Sequence, residues 1–190
     1  MRQLEENLDR QKRNWRRVCL TKRRTRLQAL DPDRRTDSAK QLKSVLSDPQ
    51  IPIGSDSIVA TYFPYSSEPD VSRFTDQLVE RGVSVVAPNL DFDGLSEVPP
   101  FLPLRGSRSG PIDVVILPAL ALDASGTRLG RGKGWYDRAM EAIESQQDQV
   151  PLLVGICFAD EFHKSGQIPF TSHDRKVDYV ATPEGLYRTS

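Results

Sequence analysis

Residues 126–137 read Gly-Thr-Arg-Leu-Gly-Arg-Gly-Lys-Gly-Trp-Tyr-Asp, placing four glycines, three cations, two aromatics and a carboxylate within twelve positions. Glycine has no Cβ, so its backbone N–H can approach a ligand closely. N–H groups turned inward ahead of a helix form a concavity suited to phosphate. Arg128, Arg131 and Lys133 add full positive charges at the same place. Asp137 falls in the first turn of the helix that follows, where a carboxylate either complements the helix dipole or joins a Mg²⁺ held between phosphates. Asp174, in the pair His173-Asp174, is the candidate second carboxylate. The spacing excludes two common nucleotide fingerprints. Five residues, not four, separate Gly126 from Gly132-Lys133, and Gly134 stands where a P-loop needs Ser or Thr. Gly130, Gly132 and Gly134 alternate strictly, unlike a dinucleotide-binding turn.

The helices and strands around these residues show in the hydrophobic pattern. Leu4, Leu8, Trp15, Val18, Cys19 and Leu27 recur at helical spacing and predict one amphipathic helix over about 4–30. Asp31-Pro32-Asp33 stops it and caps a second helix through Leu42, Val45 and Leu46 toward Ser47. Apolar runs over 57–63, 83–87, 113–117, 152–158 and 178–181 predict strands. Residues 70–81 and 135–147 read as helices, the former with Val71, Phe74, Leu78 and Val79 on one side. Strands alternating with helices imply a single α/β domain over residues 1–190: a mainly parallel sheet flanked by helices on both faces, with a basic amphipathic N-terminal helix. Residues 89–111 carry Gly94, Pro99, Pro100, Pro103, Gly106, Gly110 and Pro111 with little periodicity and read as an irregular loop.

The formal net charge is zero, yet residues 1–35 hold twelve Lys/Arg against five Asp/Glu. That basic arm is read as a solvated helix beside an acidic body, with one or two cations serving a ligand; nucleic-acid binding is the alternative. Cys19 and Cys157 are too few for a disulfide framework or a zinc site. No stretch approaches the roughly 18–20 apolar residues of a membrane span, and the charged N-terminus does not read as a signal peptide. A cytoplasmic location is the expectation.

The run Ile-Leu-Pro-Ala-Leu-Ala-Leu-Asp over 116–123, followed by the glycine-rich segment, resembles the signature of the 5-formyltetrahydrofolate cyclo-ligase family. The resemblance extends to Lys12 and Arg16, to Glu68-Pro69-Asp70 and to the ending Ile168-Pro169 … His173-Asp174 … Asp178. It implies ATP- and Mg²⁺-dependent cyclisation of 5-formyltetrahydrofolate to 5,10-methenyltetrahydrofolate, with release of ADP and phosphate. It also implies roles. Lys12, Arg16 and the loop Arg128, Leu129, Gly130, Arg131, Gly132, Lys133, Gly134, Trp135 and Tyr136 would hold ATP. Arg131, Lys133, Trp135 and Tyr136 would take part in catalysis, with Arg131 and Trp135 also facing the folate. Glu68 would bind the pterin, and Asp137 and Asp174 would bind Mg²⁺. Phe63 is either a pterin contact or core.

The chain departs from the family pattern at three single positions: Trp135 stands for Tyr, Ala119 for Gly and Val71 for Thr. Its 89–111 segment is short, has no Met or Trp, and offers only Phe92, Phe101 and Glu97-Val98-Pro99 toward the folate. A same-fold ATP-using enzyme with another small substrate, or a non-catalytic binding protein, is the alternative function. The implied partner is a small molecule, with neither nucleic acid nor membrane involved; monomer and homodimer stay open.

Overall fold

The computed structural model describes residues 2–29, 32–65, 67–95, 98–104, 106–171 and 174–190, with the backbone alone at 2, 4, 5 and 32–35. The proposed cap Asp31, Glu97, His173 and the side chain of Leu4 therefore lie outside the described residues.

The five apolar runs form the parallel centre of a seven-stranded sheet: β1 (Ile58–Ala60), β2 (Ser84–Pro88), β4 (Val114–Pro118), β7 (Leu152–Ile156) and β9 (Tyr179–Thr182). Antiparallel strands close both edges. Strand β3 (Phe101–Pro103) pairs with β2 and β10 (Gly185–Arg188) with β9, giving the order β10-β9-β7-β4-β1-β2-β3. The 89–111 segment is thus not wholly irregular. Its prolines obscure β3, which tolerates them because an edge strand needs hydrogen-bond donors on one side only.

Alternation along the strands sends their side chains to two cores. Val59, Val114, Ile116 and Val154 pack with Leu42 and Leu46 of α2 (Pro32–Leu46) and with Phe74 and Leu78 of α3 (Ser72–Glu80). On the opposite face, Ile58, Ala60, Val115, Leu117 and Leu153 pack with Ala139, Met140 and Ile143 of α4 (Trp135–Gln146). Period-2 burial of both strand faces is what a covered parallel sheet requires. Val79, assigned to the inner side of α3, is 47% exposed.

A second sheet was not visible in the pattern. It has three short strands, β5 (Ala121–Asp123), β6 (Arg128–Leu129) and β8 (Phe162–His163), in the order β6-β5-β8. Helix α1 (Arg2–Ala29) covers it, with Cys19, Trp15 and Leu20 packed on Leu120, Ala121, Leu129 and Ile168. Val18 points outward, 43% exposed, whereas Lys12 and Arg23 are buried. The inner face of α1 is therefore partly cationic, which an apolar count misses.

Strand order fixes where a ligand can enter. From β1 the chain crosses through α3 to β2 on one side, and from β4 through α4 to β7 on the other. The direction of winding reverses between β1 and β4, and open α/β sheets bind ligands beyond the carboxyl ends of strands at such a point.

Candidate active site

A cavity of about 310 Å³ opens at that switch point, between the end of β4, the glycine-rich turn, the start of α4 and the inner face of α1. The anticipated site residues all line it except Phe63, which is 66% exposed and belongs neither to this wall nor to the buried core. Six cationic side chains and three carboxylates share the wall.

Each of the three carboxylates is held by a cation. Glu68 Oε1 accepts from Arg131 Nε at 3.0 Å, and its Oε2 accepts the Tyr65 N–H at 3.0 Å. The Tyr62 hydroxyl donates to the Pro69 carbonyl at 2.7 Å and pins the loop that carries Glu68. Asp137 Oδ1 accepts from Arg128 Nη2 at 2.9 Å. Asp174 Oδ2 accepts from Lys12 Nζ, from the Thr171 N–H at 2.6 Å and from Thr171 Oγ1 at 2.9 Å. Burial pulls the Asp174 carboxyl upward, and these hydrogen bonds outweigh it, leaving it below the usual carboxylate range.

The turn itself is shaped by close approach. Gly132 has φ +90°, and a Cβ there would sit 3.0 Å from Arg16 Cζ. Arg16 thus lies flat on the turn and donates from Nε to the Gly130 carbonyl at 3.0 Å. Gly134 caps α4 in the left-handed conformation with no side-chain cap, so the helix N-terminus is left to a ligand. Among the described residues, no acceptor takes the N–H groups of Arg131, Gly132, Lys133 or Gly134. Arg128 Nε is buried without a partner, a costly state unless a ligand completes it. This donor set fits a polyphosphate. Leu129 contributes packing and a carbonyl that accepts the Leu120 N–H at 2.8 Å, while Lys133 stands exposed at the rim. Gly126 belongs to the β5–β6 turn and not to the cradle: its φ is +82°, and a Cβ would meet the Val177 carbonyl at 2.5 Å.

Among the described residues there is no cluster of three or more His, Cys, Asp or Glu that could hold a metal alone. Asp137 and Asp174 on one cationic wall do suit magnesium, which takes one or two carboxylates and draws its other oxygens from phosphate and water.

Trp135 meets Tyr136, Phe101 and Phe92 edge-on, with centroids 4.8, 5.4 and 5.8 Å apart. The short 89–111 segment thus supplies an apolar backing to the site through Phe92 and Phe101. Burial pushes the Tyr136 phenol far above its ordinary value, and nearby Arg128 only moderates this, so Tyr136 is a neutral hydroxyl.

Two residues of consequence have no role assigned from the sequence. Asp123 is fully buried and accepts from Ser125, Thr127 and Gly166 backbone N–H groups at 3.0, 3.1 and 3.0 Å, bracing the turn that leads into the loop. Arg23 is 1% exposed and reaches the cavity wall. The first closes the signature run 116–123, where the resemblance assigns it no role. The second is one arginine among many in α1, and only its i, i+7 relation to Arg16 marks it.

A switch-point cavity that joins a glycine turn, a helix N-terminus and converging cations defines an α/β protein with a cationic site at the carboxyl ends of its strands. The sequence model of the 5-formyltetrahydrofolate cyclo-ligase family matches residues 9–183, and the chain belongs to that family. It is 32% identical over 150 residues to the 5-formyltetrahydrofolate cyclo-ligase of Mycolicibacterium smegmatis, covering 66% of this chain and 73% of that protein. Identity is 38% over 80 residues to the enzyme named as mitochondrial in Arabidopsis thaliana, covering 40% of this chain and only 29% of the plant protein. Among solved structures, the 5,10-methenyltetrahydrofolate synthetase of Aquifex aeolicus shares the fold, with a TM-score of 0.70 at 23% identity over 93% of this chain and 92% of that one. The Mycoplasma pneumoniae synthetase does so with a TM-score of 0.67 at 22% identity, over 89% and 96%. No described helix is long and apolar enough to cross a membrane.

Proposed function

We propose that the protein closes the ring of 5-formyltetrahydrofolate to 5,10-methenyltetrahydrofolate, using ATP and Mg²⁺ and releasing ADP and phosphate. The observation that carries this is the union, in one cavity, of converging cations, glycine-turn N–H groups and the unpartnered Arg128 Nε with Glu68, a fixed carboxylate with acceptor capacity to spare. In the proposed reaction the formyl oxygen takes the terminal phosphoryl group and ADP departs. N10 then attacks the activated formyl carbon and gives up its proton to solvent, and phosphate leaves with the former formyl oxygen.

Such a reaction needs positioning and charge neutralisation more than a protein nucleophile. Arg16, Arg128 and the N–H groups of the glycine turn would seat the phosphates, with Arg128 Nε completed by one of their oxygens. Arg131 and Lys133, at the mouth, would face the charge that spreads over the transferred group. Neutral Tyr136 can donate a proton-bearing hydroxyl but cannot serve as a base near neutral pH. Asp137 and Asp174 would hold the magnesium, which when bound neutralises phosphate charge. Trp135, backed by Phe92 and Phe101, would offer a stacking surface to the pterin.

Four of the arm's cations are engaged inside the protein: Lys12 on Asp174, Arg16 on Gly130, and Arg23 and Arg26 on Glu161. That supports a small-molecule ligand over nucleic acid. Both cysteines are free and buried, which suits the reducing cytoplasm. The deciding experiment mixes the purified chain with ATP, Mg²⁺ and 5-formyltetrahydrofolate and follows the methenyl absorbance. No product from folded protein at saturating ATP ends the proposal.

A further inference from the structure

Arg23 has no task in the reaction above, yet its placement gives it one. It shares a face of α1 with Lys12 and Arg16, at +11 and +7 from them, within about 40° of arc. Its Nε and Nη2 donate to Oε1 and Oε2 of Glu161 at 2.8 and 2.7 Å, and Nη2 also donates to the Ala119 carbonyl. Three of the five N–H donors are thereby used. All three are carried by Nε and Nη2, and Nη1 has no partner among the described residues. Arg23 is 1% exposed and still contributes to the cavity wall, and Nη1 is its one nitrogen not already engaged.

Arg23 offers direction more than charge. Glu161 cancels its charge and locks its plane, and Arg26 pairs with Glu161 and Asp160 in turn. A phosphate has freer partners in Arg16, Arg128 and the turn. Glu68 stands on the same wall and has lone pairs left after binding Arg131 and Tyr65. Burial works against the charged form of Arg23, and Glu161 overrides it with a smaller pull from Glu68.

We propose that Arg23 and Glu68 together read one edge of the substrate ring, Glu68 accepting from its amino and ring N–H groups and Arg23 Nη1 donating to the adjacent ring carbonyl. This rests on the reading that a pterin enters the cavity. A 2-amino-4-oxo pterin presents donors and acceptor in that order, and Arg23 is then a specificity-determining residue for the carbonyl.

The test is calorimetric binding to the full chain of 5-formyltetrahydrofolate, of its 2,4-diamino analogue (donor in place of the carbonyl) and, separately, of ATP with Mg²⁺. Wild type is compared with Arg23→Met/Glu161→Met, which removes both charges together, and with Arg23→Lys, which keeps an ion pair with Glu161 but has no second donor edge. The oxo-over-diamino preference should fall about tenfold or more in both variants, as expected when a donor aimed at one acceptor is lost, with ATP affinity unchanged. A preserved preference, or a loss of ATP affinity in its place, overturns the assignment. Should the double variant not fold, Arg23→Lys decides alone. Wild type that binds ATP but neither pterin defeats the underlying reading and the assignment with it, a result distinct from wild type that binds both and discriminates without Arg23.

Discussion

Trp135 and Phe101 meet edge to face, with ring centroids 5.4 Å apart and planes at 83°. This contact ties the first residue of α4, on the cavity wall, to the edge strand β3 of the segment that looked least structured in the sequence. Phe101 is buried, so Phe101→Ala should cost roughly 3–5 kcal/mol in a urea titration. The same change withdraws the backing of the indole. Steady-state kinetics should therefore show KM for 5-formyltetrahydrofolate rising more than KM for ATP. Equal rises would mean that Phe101 acts on the fold alone.

Arg128 and Asp137 form the second relationship of consequence, because one ion pair joins the glycine turn to the first turn of α4. Asp137→Asn keeps the size of the side chain but removes the charge that both Arg128 and a magnesium would use. Loss of outer-sphere partners alone lowers metal affinity about 10–100-fold, and loss of a ligand should cost at least as much. The Mg²⁺ concentration for half-maximal turnover should rise accordingly, with thermal stability little changed. Chelation by EDTA should abolish wild-type turnover. An unshifted Mg²⁺ dependence would remove Asp137 from the metal site.

Much of this was legible in the chain, for definite reasons. The five parallel strands appear as apolar runs because both sheet faces are covered, and the glycine turn appears because Gly132 and Gly134 take positive φ, the former hard against Arg16. Strands β5, β6 and β8 have two or three residues each, too few to set up a period. Strand β3 hides among prolines. The inward cations of α1 defeat an apolar count because Lys12, Arg16 and Arg23 occupy positions where a helix ordinarily turns hydrophobes to its core. The meeting of Glu68 with Arg131, 63 residues apart, follows from strand order, which no local pattern contains.

Lys12 and Asp174 make the site's acid response predictable. The Asp174 carboxyl is depressed in the folded protein, so it binds fewer protons there than in the unfolded chain over the window between the two values. Its contribution to stability is complete above its unfolded value of about 3.9 and is lost as pH falls through the folded value below that. Lys12→Met removes the strongest of the lowering partners and leaves the two Thr171 bonds. Urea unfolding between pH 2 and 6 should therefore show a flatter acid limb in the variant. An identical limb would show that the Lys12 pair does not set this titration.

Glu161 and Arg23 supply the last prediction, in which single and double changes should behave oppositely. Both side chains are 1% exposed. Removing one partner strands a buried charge, at a cost of about 3–5 kcal/mol. Glu161→Met should fall in that range, since among the described residues it leaves Arg23 with only the Ala119 carbonyl and the Phe158 ring, 5.6 Å from its Cζ. Arg23→Met/Glu161→Met removes both desolvation penalties and fills the space with apolar volume. It should recover most of the loss, and replacing a buried pair with hydrophobes is often neutral or better. Arg26 limits the recovery, because it gives up its bond to Glu161 Oε1, 3.2 Å away, though it is partly exposed and keeps Asp160. Denaturant unfolding of the three proteins, read as a double-mutant cycle, measures the coupling. If the double variant proves as unstable as the single, the pair is holding the Ala119 carbonyl in place, and the cavity floor between β4 and β5 depends on it for its shape.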